Sequence, residues 1–197
     1  MDVKAAQGEA TRAQLIAAAR SLFGERGYAS VGTEEIVRTA GVTRGALYHH
    51  FEGKADLFRA VFEEMERELA ERIAREALSR GDVWDAHLAA VELFLDACQE
   101  PEVQRIALVD APSVLGWQAW REIEARYWLG LVTASLQALM EAGLIIEQPV
   151  EPLAQTMLGA LTEAGLYVAS ADDVGAARGE MAAVVRHLLE GLRPAAS

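Results

Sequence analysis

The stretch from Thr33 to Phe51 constrains the fold more than any other, because it predicts two short helices joined by a tight turn. Gly41 separates the two helical runs, and a glycine at a helix end favours the left-handed backbone that redirects the chain. Thr43 follows with a side-chain oxygen suited to cap the N-terminus of the second helix. Helices joined this closely must pack on each other, so the sequence predicts a helix-turn-helix unit.

The first of these two helices has a clear start and a clear apolar face. Thr33 is predicted to cap its N-terminus, and Glu34 and Glu35 place negative charge in the first turn, where the helix dipole favours it. Ile36 and Ala40 then lie on one face, which is predicted to be buried against the neighbouring helices.

The second helix has an outward face that suits a DNA groove. Leu47 and Phe51 are four positions apart and share a buried face. The residues left pointing outward are Arg44, Gly45, Tyr48 and His49. Arginine can fork onto a guanine edge, tyrosine can touch a phosphate or a thymine methyl, and glycine lets the backbone approach closely. The alternative is an ordinary pair of packed helices, since the glycine turn alone does not distinguish the two.

A wider set of positions carries a family resemblance. These positions are Leu15, Ile16, Ala19, Leu22, Phe23, Gly27, Tyr28, Val31, Gly32, Thr33, Glu35, Ile36, Ala40, Gly41, Val42, Gly45, Leu47, Tyr48, His49, His50, Phe51, Lys54 and Leu57. From Thr11 to Phe58, about a quarter of the chain, the sequence resembles the N-terminal domain of the TetR family of transcriptional regulators. The remainder is similar to that family in length and layout.

The resemblance implies an all-α fold in two parts. Residues 1–54 would form a three-helix helix-turn-helix DNA-binding domain, and residues 55–197 a helical ligand-binding and dimerisation domain. The implied partners are a double-stranded, palindromic DNA operator, a second copy of the chain and a small-molecule effector. The expected DNA contacts are Thr33, Thr43, Arg44, Gly45, Tyr48, His49, His50 and Lys54. Lys54 matches the family's phosphate-contacting lysine, and a nearby phosphate would compensate for a cation at a helix start.

The distribution of charge agrees with this division. The chain has 197 residues and a formal net charge of −12. Residues 1–54 hold seven Lys and Arg against six Asp and Glu, so the negative charge resides in the remainder. DNA would repel such a body and accept only the N-terminal part. With one cysteine, no signal peptide pattern and no membrane-spanning run, the chain is expected to be soluble and cytoplasmic.

Helical periodicity extends through the rest of the chain. Residues 1–10 are expected to form an arm before a first helix, which Thr11 caps and which ends near Gly27. The later helices are predicted at 54–80, 83–99, 103–109, 117–142, 151–170 and 173–192. A break is predicted over 110–116, because Pro112 and Gly116 interrupt the pattern. The helix beginning at Lys54 is the predicted lever between the two domains.

Aromatic residues on both sides of this break are the candidate lining of an effector pocket, since such pockets are mostly apolar with a few polar groups. The candidate set is Phe62, Trp84, Phe94, Trp117, Trp120, Tyr127 and Trp128. The alternative is that these side chains belong to the core or to a dimer contact.

The last two helices carry apolar positions on more than one face, which suggests a partner as well as an internal core. In the family this pair forms a four-helix dimer interface. The candidate dimerisation residues are Met157, Leu161, Ala164, Val168, Met181, Val184 and Leu188. A purely intrachain core is the alternative.

No catalytic, metal or cofactor site is predicted. His49 and His50 are adjacent, so on a helix they diverge by about 100° and do not chelate one metal. Cys98 follows the apolar spacing of its helix and is most simply a core residue rather than a redox sensor. The sequence therefore favours a ligand-responsive regulator, most simply a repressor. The alternatives are a small helical enzyme or carrier that uses the aromatic pocket, a regulator without a ligand, and an activator.

Overall fold

The computed structural model describes residues 3–194, and within them the fold is all-α, as predicted. The helices are α1 Val3–Arg26, α2 Thr33–Thr39, α3 Arg44–His50, α4 Lys54–Leu78, α5 Val83–Ala97, α6 Pro101–Val103, α7 Ala111–Leu115, α8 Trp117–Glu141, α9 Val150–Ser170 and α10 Val174–Glu190. A 3₁₀ turn at Tyr28–Ser30 follows α1, and a π-helical segment, Gln104–Asp110, joins α6 to α7.

Helix ends follow the predicted turn chemistry at most positions. Gly41 and Gly143 have φ of 68° and 67°, so each ends its helix in the left-handed conformation that favours glycine. Asp82 accepts hydrogen bonds from the amides of Trp84 and Asp85 at 2.9 and 3.1 Å and so caps α5. These local signals explain why the boundaries of α2 to α5 and of α8 agree with the sequence to within about two residues.

Two predictions about threonine caps are wrong. The first helix begins at Val3, so residues 3–10 of the expected arm are helical, and residues 1–2 lie outside the described part. Thr11 is therefore internal, and its hydroxyl donates to the Gln7 carbonyl at 3.0 Å. Thr33 is likewise the first residue of α2 rather than its cap, because Gly32 holds that position without a side-chain hydrogen bond.

The predicted break over residues 110–116 is also wrong in extent. The chain stays helical through Pro112 and stops at Gly116, whose φ is 80°. Pro112 lies in the first turn of α7, directly after the π-helical segment, and it supplies no backbone N–H to the carbonyls of the preceding helical turn. Proline is therefore tolerated here within a continuous helical path, where the hydrogen-bonding pattern changes from π-helical to α-helical.

The described residues divide into two compact units. The first unit contains the chain up to Met65 together with Pro101–Trp120, and the second contains Glu66–Glu100 and the chain from Arg121 onward. Helices α4 and α8 contribute residues to both units. This grouping concerns packing, and the functional boundary expected after residue 54 stays a prediction.

Each unit has its own apolar core. In the first unit, Phe23 and Phe58 meet edge to face with ring centroids 5.4 Å apart, and Tyr28 packs on both rings. In the second unit α5, α9 and α10 pack together. Its fully buried side chains include Leu95, Leu136, Leu139, Val168 and Leu189.

No helix among the described residues is long and apolar enough to cross a membrane.

Candidate functional site

The orientation of α3 is set by its cap and its buried side. The Thr43 hydroxyl accepts a hydrogen bond from the Ala46 amide at 3.2 Å, as predicted for the second cap of the helix-turn-helix. Leu47 is fully buried and Phe51 is 4% exposed, so both anchor the helix to the first unit. Because these two residues face inward, the residues at 44, 45, 48 and 49 face outward.

The outward face of α3 is open. Tyr48 is 48% exposed, and the Arg44 guanidinium lies 5.6 Å from the centre of the Tyr48 ring. Arg44 also approaches Glu34 of α2 at 3.6 Å, but both side chains are well exposed and such a pair contributes little. A Cβ at Gly45 would meet only the Thr43 hydroxyl, so the face is flat at that point. This face brings Arg44, Gly45, Tyr48 and His49 together as predicted, next to the exposed Thr43.

Thr33 begins α2, and His50 follows His49 at the end of α3. Thr33 and His50 are half-buried. The His50 ring contacts the His49 ring edge to face at 5.1 Å, and its other side is close to Gly8 of α1. The N-terminal extension of α1 therefore packs beside the C-terminal end of α3.

Lys54 has a structural role that the sequence did not reveal. Its ammonium donates to the carbonyls of Tyr28 and Val31 at 2.9 and 3.0 Å, and it lies 3.9 Å from the centre of the Tyr28 ring. The start of α4 is thereby tied to the turn after α1. An ammonium has three donors, so one N–H is left over from these two bonds. The predicted phosphate contact remains a prediction.

The segment around the π-helix is attached to α1 and to the same turn. Asp110 accepts a hydrogen bond from the Tyr28 amide at 2.7 Å. Glu102 receives two hydrogen bonds from the Arg20 guanidinium, at 2.9 and 3.0 Å, a bidentate geometry that fixes orientation. Gly27, with φ of 78°, lies beside Arg105 and Asp110. These contacts join residues 82 positions apart, which periodicity along a sequence does not show.

The seven aromatic residues proposed for a pocket are divided between the two units. Phe62, Trp117 and Trp120 belong to the first unit. Phe62 and Trp120 are fully buried there, whereas Trp117 is 61% exposed and contacts the Trp120 ring at 5.0 Å.

Trp84, Phe94, Tyr127 and Trp128 belong to the second unit. Trp128 is buried and meets the half-buried Phe94 ring edge to face at 5.7 Å. Trp84 lies under the Arg193 guanidinium at 4.6 Å, and Tyr127 is half-buried. Within the second unit the Phe94–Trp128 pair is thus the candidate apolar wall.

A buried polar group borders this pair. We call Glu66, Arg121, Glu124, Trp128 and Thr162 the Glu66 cluster. The Trp128 indole N–H donates to the Glu66 carboxyl, and Arg121 donates to Glu124 and to the Thr162 hydroxyl at 2.8 and 2.7 Å. Glu66, Glu124 and Thr162 are 5%, 8% and 4% exposed. Sequence reasoning predicted Trp128 only as an aromatic pocket residue and did not predict this group, because Glu66, Arg121 and Glu124 each resemble an ordinary charged residue on a helix.

Burial shifts the titration of both acids in the Glu66 cluster. Burial raises the pKa of Glu66 to about 8, the indole hydrogen bond opposes this shift, and the nearby Glu124 charge adds to it. Burial also raises the pKa of Glu124, while Arg121 and Thr162 oppose the rise. At neutral pH Glu66 is therefore mostly protonated and uncharged.

Two further polar residues are buried in the second unit. The His87 Nδ1 is 2.6 Å from the Ser135 hydroxyl, and burial lowers the pKa of His87 to about 4, so the ring is neutral. Cys98 is 1% exposed, and burial with the nearby Glu66 and Glu124 raises its pKa to about 12. A thiol so difficult to ionise behaves as the predicted core residue.

The dimerisation set separates into buried and exposed residues. Met157, Ala164 and Val168 are 6%, 2% and 0% exposed within one protomer, so their side chains pack mostly inside it, and their place in a dimer interface stays a prediction. Val184 and Leu188 are 50% and 53% exposed.

Leu161 and Met181 are half-buried. Tyr167 of α9 is 46% exposed, although the sequence did not predict it as a dimerisation residue. Met181, Val184 and Leu188 follow the three-and-four spacing of one helix face. An apolar stripe therefore remains uncovered on α10.

The comparisons with known proteins agree with this geometry. Residues 15–61 match the model for bacterial regulatory proteins of the tetR family, and residues 84–192 match the tetracyclin repressor-like C-terminal domain. The Transposon Tn10 TetC protein of Escherichia coli is 26% identical over 186 residues, which span 94% of this chain and 93% of that protein.

Solved structures show the same similarity. A TetR-family transcriptional regulator from Pectobacterium atrosepticum has 35% identity and a TM-score of 0.88, covering 95% of this chain and 96% of that one. FadR from Bacillus subtilis, solved with stearoyl-CoA, has 20% identity and a TM-score of 0.72, covering 91% of this chain and 98% of that one. At that identity the second likeness shows the fold alone.

The first prediction concerns Lys54. Lys54→Met should lower the free energy of unfolding by about 2–3 kcal/mol without DNA, because two carbonyls lose a charged hydrogen-bond donor. Urea unfolding followed by circular dichroism measures this, with the exposed Arg38→Met as the control. Unchanged stability would show that the amine does not hold the turn.

The second prediction concerns Glu66. The folded protein keeps this proton up to about pH 8, whereas the unfolded chain releases it near the ordinary value of 4.5. Between these values unfolding releases a proton, so stability falls as the pH rises. Glu66→Gln has no proton to release at this position, so its free energy of unfolding should not fall in this way as the pH rises. At pH 8 the variant should be more stable than wild type by a few kcal/mol, on the order of the pH-dependent loss expected for wild type.

Urea unfolding at about pH 5.5 and 8 tests this, because those values bracket most of the titration range. Glu68→Gln on the exposed side of the same helix is the matched control and should follow the wild type. If the free energy of unfolding changed with pH by the same amount in wild type and in Glu66→Gln, the raised pKa assigned to Glu66 would be contradicted.

Proposed function

Because the chain belongs to the TetR family of bacterial transcriptional regulators, we propose that it is a homodimeric repressor that binds a palindromic operator and releases it when a small effector binds. The observation that carries the proposal is the capped helix α3, which presents Arg44, Tyr48 and His49 on one exposed face. The chemistry of that face supports base readout in a major groove.

Electrostatics support α3 as the element that enters the groove. The N-terminal residues are nearly balanced in charge while the whole chain carries −12, so phosphates favour this end of the molecule. The ion pair between Arg44 and Glu34 is exposed and contributes little, so exchanging it for a contact to a base would cost little free energy. Lys54, Thr33 and Thr43 are proposed to contact phosphates around the reading face, which would set its register.

The uncovered stripe on α10 supports a symmetric dimer. Met181, Val184 and Leu188 form an apolar row that a second copy of the same helix would bury, with Tyr167 and Leu161 of α9 as further candidates. A symmetric dimer would carry two copies of α3, and recognition helices that bind successive major grooves of one DNA face are about 34 Å apart. A palindromic operator follows from that symmetry.

Release by an effector requires a link between its site and α3. Helix α4 begins at Lys54, beside the turn that supports the DNA-binding helices, and continues into the second unit. A ligand that binds more tightly to the conformer with wrongly spaced reading helices shifts the population away from DNA. The hydrogen bonds of Glu102 and Asp110 are proposed to make the segment 101–115 move together with α1.

The third prediction concerns base readout. Arg44→Ala should cost about 1–3 kcal/mol on the operator and relax specificity at one position per half-site, because a bidentate contact to guanine is lost. Fluorescence anisotropy with the operator and single-base variants measures both effects. Arg38→Ala, an exposed arginine on α2, is the control for loss of charge and should leave base preference intact. If Arg44→Ala lost operator affinity but kept the full base preference, Arg44 would contact only phosphate.

The fourth prediction concerns the dimer. Leu188 is exposed on the single protomer but lies in the proposed dimer interface. Leu188→Glu places a charge in that interface, so the protomer should fold while the dimer dissociates. Light scattering coupled to size exclusion measures the mass, and circular dichroism measures the fold. The control is Leu78→Glu, because Leu78 is 80% exposed and lies on α4. A fully dimeric Leu188→Glu protein would place the interface elsewhere.

A further inference from the structure

An acidic side chain lies beside the residue that is proposed to read a base. Glu34 is in the first turn of α2, its side chain is 85% exposed, and its carboxylate lies 3.6 Å from the Arg44 guanidinium of α3. In the part of the chain that the structure describes, Arg44 is its one charged partner. The carboxylate is therefore open to any molecule that meets the outward face of α3.

The next residue of the same turn is also an acid, but it has a structural role. The Glu35 carboxylate pairs with Arg26 of α1 at 2.8 Å and with Arg38 of α2 at 3.6 Å, and its side chain is only 26% exposed. Glu35 thus joins α2 to α1 within the first unit. The exposed pair of Glu34 contributes little to stability, so packing does not explain an acid at this position.

An exposed carboxylate is unfavourable on a surface that approaches DNA. Phosphates are negative along both strands, so an acid at the interface weakens binding unless it makes a compensating contact. In the major groove, guanine presents two acceptors and thymine presents an acceptor oxygen. Adenine has an amino group but places the N7 acceptor next to it, whereas cytosine presents the N4 amino donor alone. Cytosine is therefore the base that a carboxylate fits.

The position of Glu34 relative to Arg44 suits the spacing of bases. The Arg44 guanidinium lies near the Tyr48 ring, at 5.6 Å from its centre, as well as near the Glu34 carboxylate. The nitrogen and oxygen of the Arg44–Glu34 pair are 3.6 Å apart, and successive bases of a strand are separated by about 3.4 Å. The two side chains can therefore contact neighbouring base pairs at the same time.

We propose, on the premise of the DNA-binding regulator above, that Glu34 is a specificity-determining residue. Its carboxylate accepts a hydrogen bond from the N4 amino group of a cytosine, while Arg44 contacts the guanine of an adjacent base pair. Helix α2 then takes part in base readout together with α3. The same carboxylate selects against other sequences, because it meets an acceptor atom at this position instead of a donor.

The test is a selection of binding sites by the full-length protein from DNA duplexes with a randomised core. Sequencing of the bound duplexes gives the base preference at each position, and Arg44→Ala identifies the guanine that Arg44 reads. In Glu34→Ala the cytosine preference at the neighbouring position should fall about tenfold. Absence of a preferred cytosine beside that guanine in wild type, or an unchanged preference in Glu34→Ala, would overturn the proposal.

A second measurement separates readout from simple repulsion of phosphates. Fluorescence anisotropy at fixed salt should show that Glu34→Ala binds random-sequence DNA about two- to fivefold more tightly, because a negative charge is removed. The ratio of its affinities for the selected site and for random DNA should fall about tenfold.

The control is Glu52→Ala, since Glu52 is an exposed acid directly after Phe51 at the end of α3. This variant should tighten binding to the selected site and to random DNA by the same factor. If Glu34→Ala also changed both affinities equally, Glu34 would act by repulsion alone and its role in readout would be overturned.

Glu34→Gln tests the chemistry of the contact. Glutamine keeps the size of the side chain, but its amide both donates and accepts and so matches N7 and N6 of adenine. Adenine should therefore replace cytosine as the preferred base at this position. A variant that still preferred cytosine would show that the carboxylate does not bind the base.

The wild-type result separates this proposal from the one it rests on. If wild type selected no sequence from the library, the DNA-reading function and the role of Glu34 would both be overturned. If wild type selected a palindromic site and Glu34→Ala selected the same site with the same base preferences, the regulator would stand and the role of Glu34 alone would be overturned.

Discussion

The turn after α1 is the structural constraint on which the DNA-binding helices depend. Two side chains bind its backbone. The Lys54 ammonium donates hydrogen bonds to the carbonyls of Tyr28 and Val31, and the Asp110 carboxylate accepts one from the Tyr28 amide. The same turn brings the Tyr28 ring against Phe23 and Phe58. Polar and apolar contacts therefore fix the end of α1, the start of α4 and the π-helical segment at one place. Helices α2 and α3 lie along the chain between the end of α1 and the start of α4. These two fixed points therefore limit where the outward face of α3 can lie.

Sequence reasoning succeeded where the cause of a structure is local. Gly41 and Thr43 act through the few residues next to them, and this turn and this cap were predicted correctly. The predictions for Thr11 and Thr33 failed because helix extension and a glycine cap are equally compatible with a threonine at those positions. The exposed face of α3 was also predictable, because helical periodicity determines which side is left when Leu47 is buried.

The remaining features depend on contacts between distant residues. Glu102 is bonded to α1, and Asp110 and Lys54 are bonded to the turn that follows α1. These contacts and the hydrogen bond between Trp128 and Glu66 all join residues that are distant along the chain. Side-chain type does not reveal such pairs, since a glutamate on a helix is usually solvated. For the same reason sequence periodicity did not show that Met157, Ala164 and Val168 are buried within one protomer.

The charge of the chain explains how a modest coupling would suffice for release. The N-terminal residues have almost no net positive charge, so nonspecific attraction to DNA should be weak and the proposed operator affinity would depend on a few contacts per half-site. A dimer held by so few contacts would lose most of its occupancy if its two α3 helices moved out of register. A coupling free energy of about 1–3 kcal/mol, typical of allosteric proteins, corresponds to roughly a 5- to 150-fold change in affinity.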